Sequence, residues 1–383
     1  MNIYYLSSSE IPSRTANSIH VMKMCRALAG NGHHVKLFAK QGEPEDAGTD
    51  DFGQYGVASC FDIIKCRRPR VKKLLGDFQY GLDVARLVRR MPLPDLFFAR
   101  HIYSLAGVSS LGVPMMYEAH TPPVNVLQRM VEGRVFRRPS FLRLIVISQA
   151  LRHEYQRQSP WLSGARIRVA RDAADPPDGA TVLPVAANWP GRSGAFQVGY
   201  TGHLYRGRGI GLIFSLAERL PDVDFHLVGG MEKDIARWKQ AGFPTNLFFH
   251  GYVAPSLLPR YFRRFEVVLA PYQERVMSVG GKKDIARWMS PMKIFEYMAA
   301  GKAIVCSDTP VLREVLTHRV NCWLAPPTDT DAWCRAISCL RAGSALRDSL
   351  GTCALRDFHA RHTWGQRATT ILAGYENVPG TRL

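Results

Sequence analysis

Two doubly wound α/β domains, each Rossmann-like and facing the other across a central cleft, are predicted by three observations. Short continuous apolar runs alternate with helix-patterned segments along the chain. A Pro/Gly-rich stretch interrupts that alternation once, near the middle. The 383 residues suit two domains of roughly 150–200 residues each. Continuous apolar runs fit strands buried on both faces of a parallel sheet, and two successive βαβ series imply two such domains.

Residues 2–6 read as the first strand. They lack the basic start of a signal peptide and run into Ser7, Ser8, Ser9 and Glu10. Residues 19–29 follow with Ile19, Val21, Met22, Cys25 and Leu28 at helical spacing. Residues 35–39, 95–99, 113–118 and 144–148 are the next strands. The composition then shifts to Pro176, Pro177, Gly179, Pro184, Pro190, Gly191 and Gly194 without a clear period, a linker pattern. The alternation restarts with strands over 196–200, 224–228, 247–250, 267–270 and 303–306. The predicted division is an N-terminal domain over 1–180, a linker over 181–195 and a C-terminal domain over 196–360. A C-terminal segment over 361–383, with a helix at 364–375, returns toward the N-terminal domain.

Apolar residues make up 46% and charged residues 21%, a soluble globular composition. No run of about 18 apolar residues appears, so no membrane span is expected. The eight cysteines show neither C-x-x-C spacing nor nearby zinc-type histidines and read as small buried hydrophobes of a reducing cytoplasm. A net charge of +18 calls for an anionic partner or surface. A nucleic-acid reader would need basic residues interleaved with exposed aromatics, and no such pattern occurs.

The most informative motif is Ser290-Pro291-Met292-Lys293-Ile294-Phe295-Glu296-Tyr297-Met298-Ala299-Ala300-Gly301-Lys302. Ser290 has the form of an N-cap and Pro291 of a first helical residue. Helix-start N–H groups can cradle an anion or hydroxyls. Lys293 and Glu296 share a face near that start, so the lysine can meet a phosphate while the carboxylate grips a diol. An ordinary capped helix with an intrahelical ion pair carries the same residues. The second motif, Gly202-His203-Leu204-Tyr205-Arg206-Gly207-Arg208-Gly209-Ile210-Gly211, follows a strand and opens a helix. Glycines permit close approach to a diphosphate, and arginine binds phosphate bidentately. The spacing is not that of a nicotinamide-dinucleotide loop, and no suitable acidic residue follows the next strand.

These motifs resemble those of glycosyltransferase family 4, retaining enzymes of the GT-B fold, and the S-P-x-K variant is common among bacterial polysaccharide transferases. The resemblance extends over nearly the whole chain. It implies that Glu296 contacts the donor ribose. The family's first motif glutamate falls at Trp288 here, and the backbone near Ser290 and Pro291 takes over part of its contact. Arg208 matches the basic residue that grips the diphosphate, and His203 stands where the family has another base. His120, after the strand over 113–117, matches the active-site histidine near the donor sugar; a hydrogen-bonded structural histidine fits the same position. Arg100 and His101 end another strand and can line the same cleft.

Ala16, Asn17 and Ser18 stand where the family's diphosphate and acceptor loop has glycines, with Asn17 or Ser18 expected to cap the helix. Gly229 ends a strand, and Gly251 with Tyr252 resembles the loop that meets the donor base. The resemblance implies a metal-independent hexosyltransferase with no cofactor. Its donor would be UDP- or GDP-linked, and its acceptor a glycan or lipid-linked molecule of surface polysaccharide, such as lipopolysaccharide. A sugar-nucleotide epimerase of the same fold and a non-catalytic donor-binding subunit remain open. The basic run Lys65, Arg67, Arg68, Arg70, Lys72 and Lys73 leads into an amphipathic helix over 71–91, with Leu74, Leu75 and Phe78. It suggests an anionic membrane surface and a peripheral, cytoplasmic-face location; a solvated helix packed on its own domain is the alternative.

Overall fold

A computed structural model describes residues 1–43, 50–68, 74–176, 189–240, 242–278 and 283–375. The chain divides into two compact units, one of Met1–Arg171 with Trp364–Leu383 and one of Asp172–Thr363.

The first unit runs β1 (Asn2–Ile11), α1 (Ala16–Gly30), β2 (His34–Gln41), β3 (Asp62–Cys66), α2 (Leu74–Val88), β4 (Leu96–Ala99), α3 (Ile102–Val108), β5 (Met115–Ala119), α4 (Val126–Phe136), β6 (Phe141–Val146), α5 (Gln149–Gln158) and β7 (Ile167–Val169). Its sheet is parallel throughout, in the order β3-β2-β1-β4-β5-β6-β7. The second unit runs β8 (Phe196–Thr201), α6 (Ile210–Arg219), β9 (Val223–Val228), α7 (Glu232–Gln240), β10 (Leu247–Gly251), α8 (Leu258–Phe262), β11 (Val267–Ala270), α9 (Met292–Ala299), β12 (Ala303–Ser307), β13 (Trp323–Ala325), α10 (Thr330–Ala342) and α11 (Ser344–Arg361). Its sheet has the order β10-β9-β8-β11-β12-β13, again parallel. The chain then re-enters the first unit as α12 (Trp364–Leu372), which packs on α1.

Every residue of β4, β5, β9, β11 and β12 is buried, as the continuous apolar runs require. The strands not foreseen are β3, β7 and β13. All three are sheet edges; β3 carries the exposed charges Asp62 and Lys65, and β7 and β13 are only three residues long, too short to stand out as runs. In both units the strand order reverses beside the first strand. Ligands of open α/β sheets bind at the carboxyl ends of the strands at such a switch point. The loops after β1 and β4 in the first unit, and after β8 and β11 in the second, therefore matter most.

Candidate functional site

In the second unit the loop after β8 is built around glycines. Gly209 is the N-cap of α6 at φ +77°, and no side chain caps the helix. A Cβ there would lie 1.9 Å from the carbonyl oxygen of Pro271, so the close approach of the two switch-point loops requires glycine. Gly202, Gly229 and Gly251 end or follow β8, β9 and β10. The Gly202 N–H donates to the Val228 carbonyl at 2.8 Å and the Gly229 N–H to the Gly251 carbonyl at 2.7 Å. The strand ends thus form a side-chain-free floor.

Two cations stand beside it. The Lys293 Nζ sits 3.7 Å from the centroid of the Tyr200 ring and 5.3 Å from that of Tyr272. The Arg208 guanidinium lies 5.4 Å from the Tyr272 ring. The Lys293 Nζ and the Arg208 Nε are buried atoms with no hydrogen-bond partner. Burial, and secondly the charge of Arg208, hold the Lys293 ammonium well below its usual range. His203 is lowered to about 4 by burial and by both cations, so it is neutral; its ring stacks on Tyr205 at 4.7 Å. Tyr297 fixes α9 in place: its hydroxyl accepts from the Thr201 N–H at 2.9 Å and donates to the Leu269 carbonyl at 3.2 Å. Burying a cation without a partner costs several kcal/mol. Arg208 and Lys293 repel each other, and the Glu296 carboxylate opposes that repulsion at Lys293.

In the first unit the charge is arranged differently. Glu118 of β5 is fully buried, and its Oε1 lies 2.9 Å from His20 Nε2, 2.5 Å from His120 Nε2 and 3.1 Å from Arg367 Nη2. The Arg100 Nε is 3.7 Å away. Arg367 also donates to the carbonyls of Ala170 and Arg171. Burial alone would raise the Glu118 pKa, but Arg367, His20 and His120 outweigh it and hold the carboxyl well below its usual range. His120 is lowered to about 4, first by burial and then by Arg100, so its ring is neutral. An ionised Glu118 makes His120 Nε2 the donor and leaves Nδ1 as an acceptor for a hydroxyl.

Residues 18–176 match a family model described as Glycosyltransferase Family 4, and residues 195–342 match one described as Glycosyl transferases group 1. The chain belongs to glycosyltransferase family 4. It is 28% identical over 165 residues to the phosphatidyl-myo-inositol mannosyltransferase of Mycolicibacterium smegmatis, covering 43% of this chain and 39% of that relative. The match thus spans about two fifths of the relative's length. Sucrose-phosphate synthase from Thermosynechococcus elongatus has the same fold, with a TM-score of 0.74, 18% identity and coverage of 98% and 99% of the two chains. HepE from Anabaena, solved in complex with UDP, has a TM-score of 0.71, 15% identity and coverage of 99% and 100%. The two parallel-sheet units are those of the GT-B fold.

Within this family 4 chain the structure brings together Gly202, His203, Arg208, Gly209 and Lys293 at the ends of β8, β11 and α9. Glu296 lies one turn beyond Lys293 on α9. Gly229 and Gly251 join the glycine floor, and Tyr252 is exposed beside it. Two capping expectations are corrected. The N-cap of α9 is Pro291, without a side-chain bond; the Ser290 hydroxyl instead accepts from the Asp172 N–H at 2.9 Å. The N-cap of α1 is Thr15, which accepts from the Ser18 N–H. Ala16, Asn17 and Ser18 form the first turn, Asn17 donating to Ser9 at 2.6 Å and the Ser18 hydroxyl bonding the Ser13 and Thr15 carbonyls.

His101 caps α3 and is buried, so it packs rather than lines a site. His250 contacts His226, Nε2 to Nδ1 at 3.0 Å, under the Trp189 ring. Of the basic run, Arg70, Lys72 and Lys73 lie outside the described residues. Lys65 pairs with Asp51, and Arg68 with Glu10 and Glu43. Phe78 packs on Tyr103 at 4.3 Å, whereas Leu75 is exposed. No described helix is long and apolar enough to cross a membrane. The residues missed from sequence are Glu118 as a hub, His20 and Arg367. The available signal was a carboxylate inside the buried strand Met115–Ala119, because a fully buried charge requires partners.

Proposed function

We propose that this family 4 glycosyltransferase moves a hexose-type sugar from a UDP- or GDP-linked donor to a glycan or lipid-linked acceptor of surface polysaccharide, with retention at the anomeric carbon and without a metal. The observation that carries the reading is the half-buried pair Arg208 and Lys293, whose buried Nε and Nζ atoms have no hydrogen-bond partner. Two cations match a diphosphate. They stabilise the charge that develops on the leaving phosphate, the task a divalent ion otherwise performs.

In this reading the diphosphate lies against Gly202, Arg208, Gly209 and the starts of α6 and α9. Glu296 takes the ribose, and the backbone at Gly251 and Tyr252 meets the base. The neutral His120 accepts a hydrogen bond from a donor-sugar hydroxyl through Nδ1. The bond from the anomeric carbon to the phosphate oxygen breaks as the acceptor oxygen bonds that carbon on the same face. The departing phosphate takes the acceptor proton, so no separate base is needed. The first turn of α1, with Ala16, Asn17 and Ser18, meets the acceptor side of the diphosphate. The mannosyltransferase relative is named for a lipid acceptor, which favours a lipid-linked acceptor here and a peripheral position at the inner face of the cell membrane.

Transfer from UDP- or GDP-hexoses to lipid-linked acceptors, followed with excess chelator present, tests this. Full activity under chelation and a product whose anomeric configuration equals the donor's are expected. Loss of activity with recovery on adding magnesium or manganese overturns the metal-free reading, and an inverted product overturns retention.

A further inference from the structure

The segment 120–125, which carries His120, is fastened at both ends to one buried carboxyl group on α4. At the first end the Tyr155 hydroxyl of α5 lies 3.4 Å from the Thr121 carbonyl oxygen and 3.2 Å from Glu132 Oε2. At the other end the Val124 N–H donates to Gln128 Oε1 at 3.2 Å, and the Gln128 amide donates to Glu132 Oε1 at 2.8 Å. Glu132 is 3% exposed and Tyr155 2%. Among the described residues no cation lies within ion-pair distance of Glu132, so nothing obliges this carboxyl to be charged.

Hydrogen counting gives the arrangement two states. Tyr155 has one hydroxyl hydrogen and two acceptors within reach. If Glu132 is ionised, the carboxylate is the stronger acceptor and takes that hydrogen, and the Thr121 carbonyl loses its donor. If Glu132 is protonated, its own hydrogen goes to Tyr155 Oη and Tyr155 passes its hydrogen to Thr121. The Thr121 carbonyl, the Tyr155 hydroxyl and both Glu132 oxygens then each have a partner. The Gln128 bond to Oε1, and with it the Val124 end, is kept in both states.

We propose that Glu132 is a positioning residue whose protonated form holds the 120–125 segment, and through it His120, in the geometry for transfer, while its ionisation releases the Thr121 end. The inference rests on the reading that His120 meets the donor sugar. The groups facing Glu132 are Tyr103 of α3, Tyr117 of β5, Tyr155 of α5 and, on its own helix, Arg129. Asp77 of α2 stands behind Tyr103. Burial is the largest influence and pushes the Glu132 carboxyl up to about 7, against the opposing pull of Gln128, Tyr155 and Arg129. The switch therefore operates near neutral pH.

The test combines kinetics with hydrogen–deuterium exchange of the peptide spanning 120–125, in wild type, Glu132→Gln and Tyr155→Phe. In wild type, kcat is expected to fall roughly five- to tenfold as pH rises through about 7, the scale of one lost hydrogen bond, with little change in donor KM. Glu132→Gln supplies an amide N–H where the acid has its proton, so it should hold kcat at the low-pH value and abolish the fall. Tyr155→Phe should give the high-pH kcat at every pH. Exchange of the segment in wild type, relative to Glu132→Gln at the same pH, should rise across the same interval. A wild-type exchange ratio independent of pH overturns the tether. A ratio that rises while kcat stays flat overturns the positioning role. His120→Ala with unchanged kcat would instead sink the His120 reading, and the exchange data would stand apart from it.

Discussion

Both units bury charge beside the carboxyl ends of their strands, and they do so in opposite ways. In the first, Glu118 is surrounded by His20, His120, Arg367 and Arg100, and its negative charge is answered from within the unit. In the second, Arg208 and Lys293 are held against tyrosine faces, the Arg208 Nε and Lys293 Nζ have no hydrogen-bond partner, and among the described residues only the Glu296 carboxylate draws on Lys293. A self-answered cluster serves the fold and orients what it touches. An unanswered one stores unfavourable desolvation that only a ligand of opposite charge relieves. On the proposed reading, Glu118 serves the fold while Arg208 and Lys293 meet the ligand.

Substitutions should therefore move the two regions in different observables. The largest effect is expected from Arg367→Met, which strips Glu118 of its closest full charge. Leaving one partner of a buried pair uncompensated costs about 3–5 kcal/mol, seen as an earlier urea transition of the first unit. Adding Glu118→Gln should recover most of that loss. A double variant no more stable than Arg367→Met would show that Arg367 acts through its carbonyl bonds instead.

Next come Arg208→Ala and Lys293→Ala. Each should weaken UDP or GDP binding by about 1.5–3 kcal/mol, the scale of a charged hydrogen bond, while stability holds or rises slightly as the cation repulsion is relieved. Calorimetric affinity unchanged in both, with stability lowered, would make the pair structural and dissolve the contrast.

The smallest effect concerns a third basic region, the run from Lys65. Changing Arg67, Arg68, Arg70, Lys72 and Lys73 to glutamine should reduce co-sedimentation with anionic vesicles at low salt. An unpaired surface cation contributes about 1 kcal/mol near such a bilayer. Lys65 and Arg68 already face carboxylates, so the sum is well below one such contribution per residue. Equal sedimentation of wild type and variant at low salt would leave the run without a membrane role.

The sequence made the two sheets legible because strands buried on both faces are mainly apolar, as the run at β11 is throughout. It made the Arg208 loop and the Lys293 helix legible because each is one continuous segment. The edge strands escaped because β3 carries exposed charges and β7 and β13 are only three residues long. The caps at Thr15 and Pro291 were displaced by one to three residues because at α1 several hydroxyls compete for the same N–H groups, and at α9 the Ser290 hydroxyl is taken by the Asp172 N–H. The Glu118 hub escaped for a deeper reason: its strongest partner, Arg367, lies 249 residues away along the chain, where no local pattern reaches.

That separation has a consequence for how the protein is made. The second unit, Asp172–Thr363, is inserted within the first. A ribosome delivers Glu118 early and Arg367 only after that whole insertion has emerged. Until then the nascent first unit lacks both its last helix and the countercharge for a carboxylate its sheet is built to bury. The second unit can close while the first stands unfinished, so the order of completion is the reverse of the order in which the two units begin to be made.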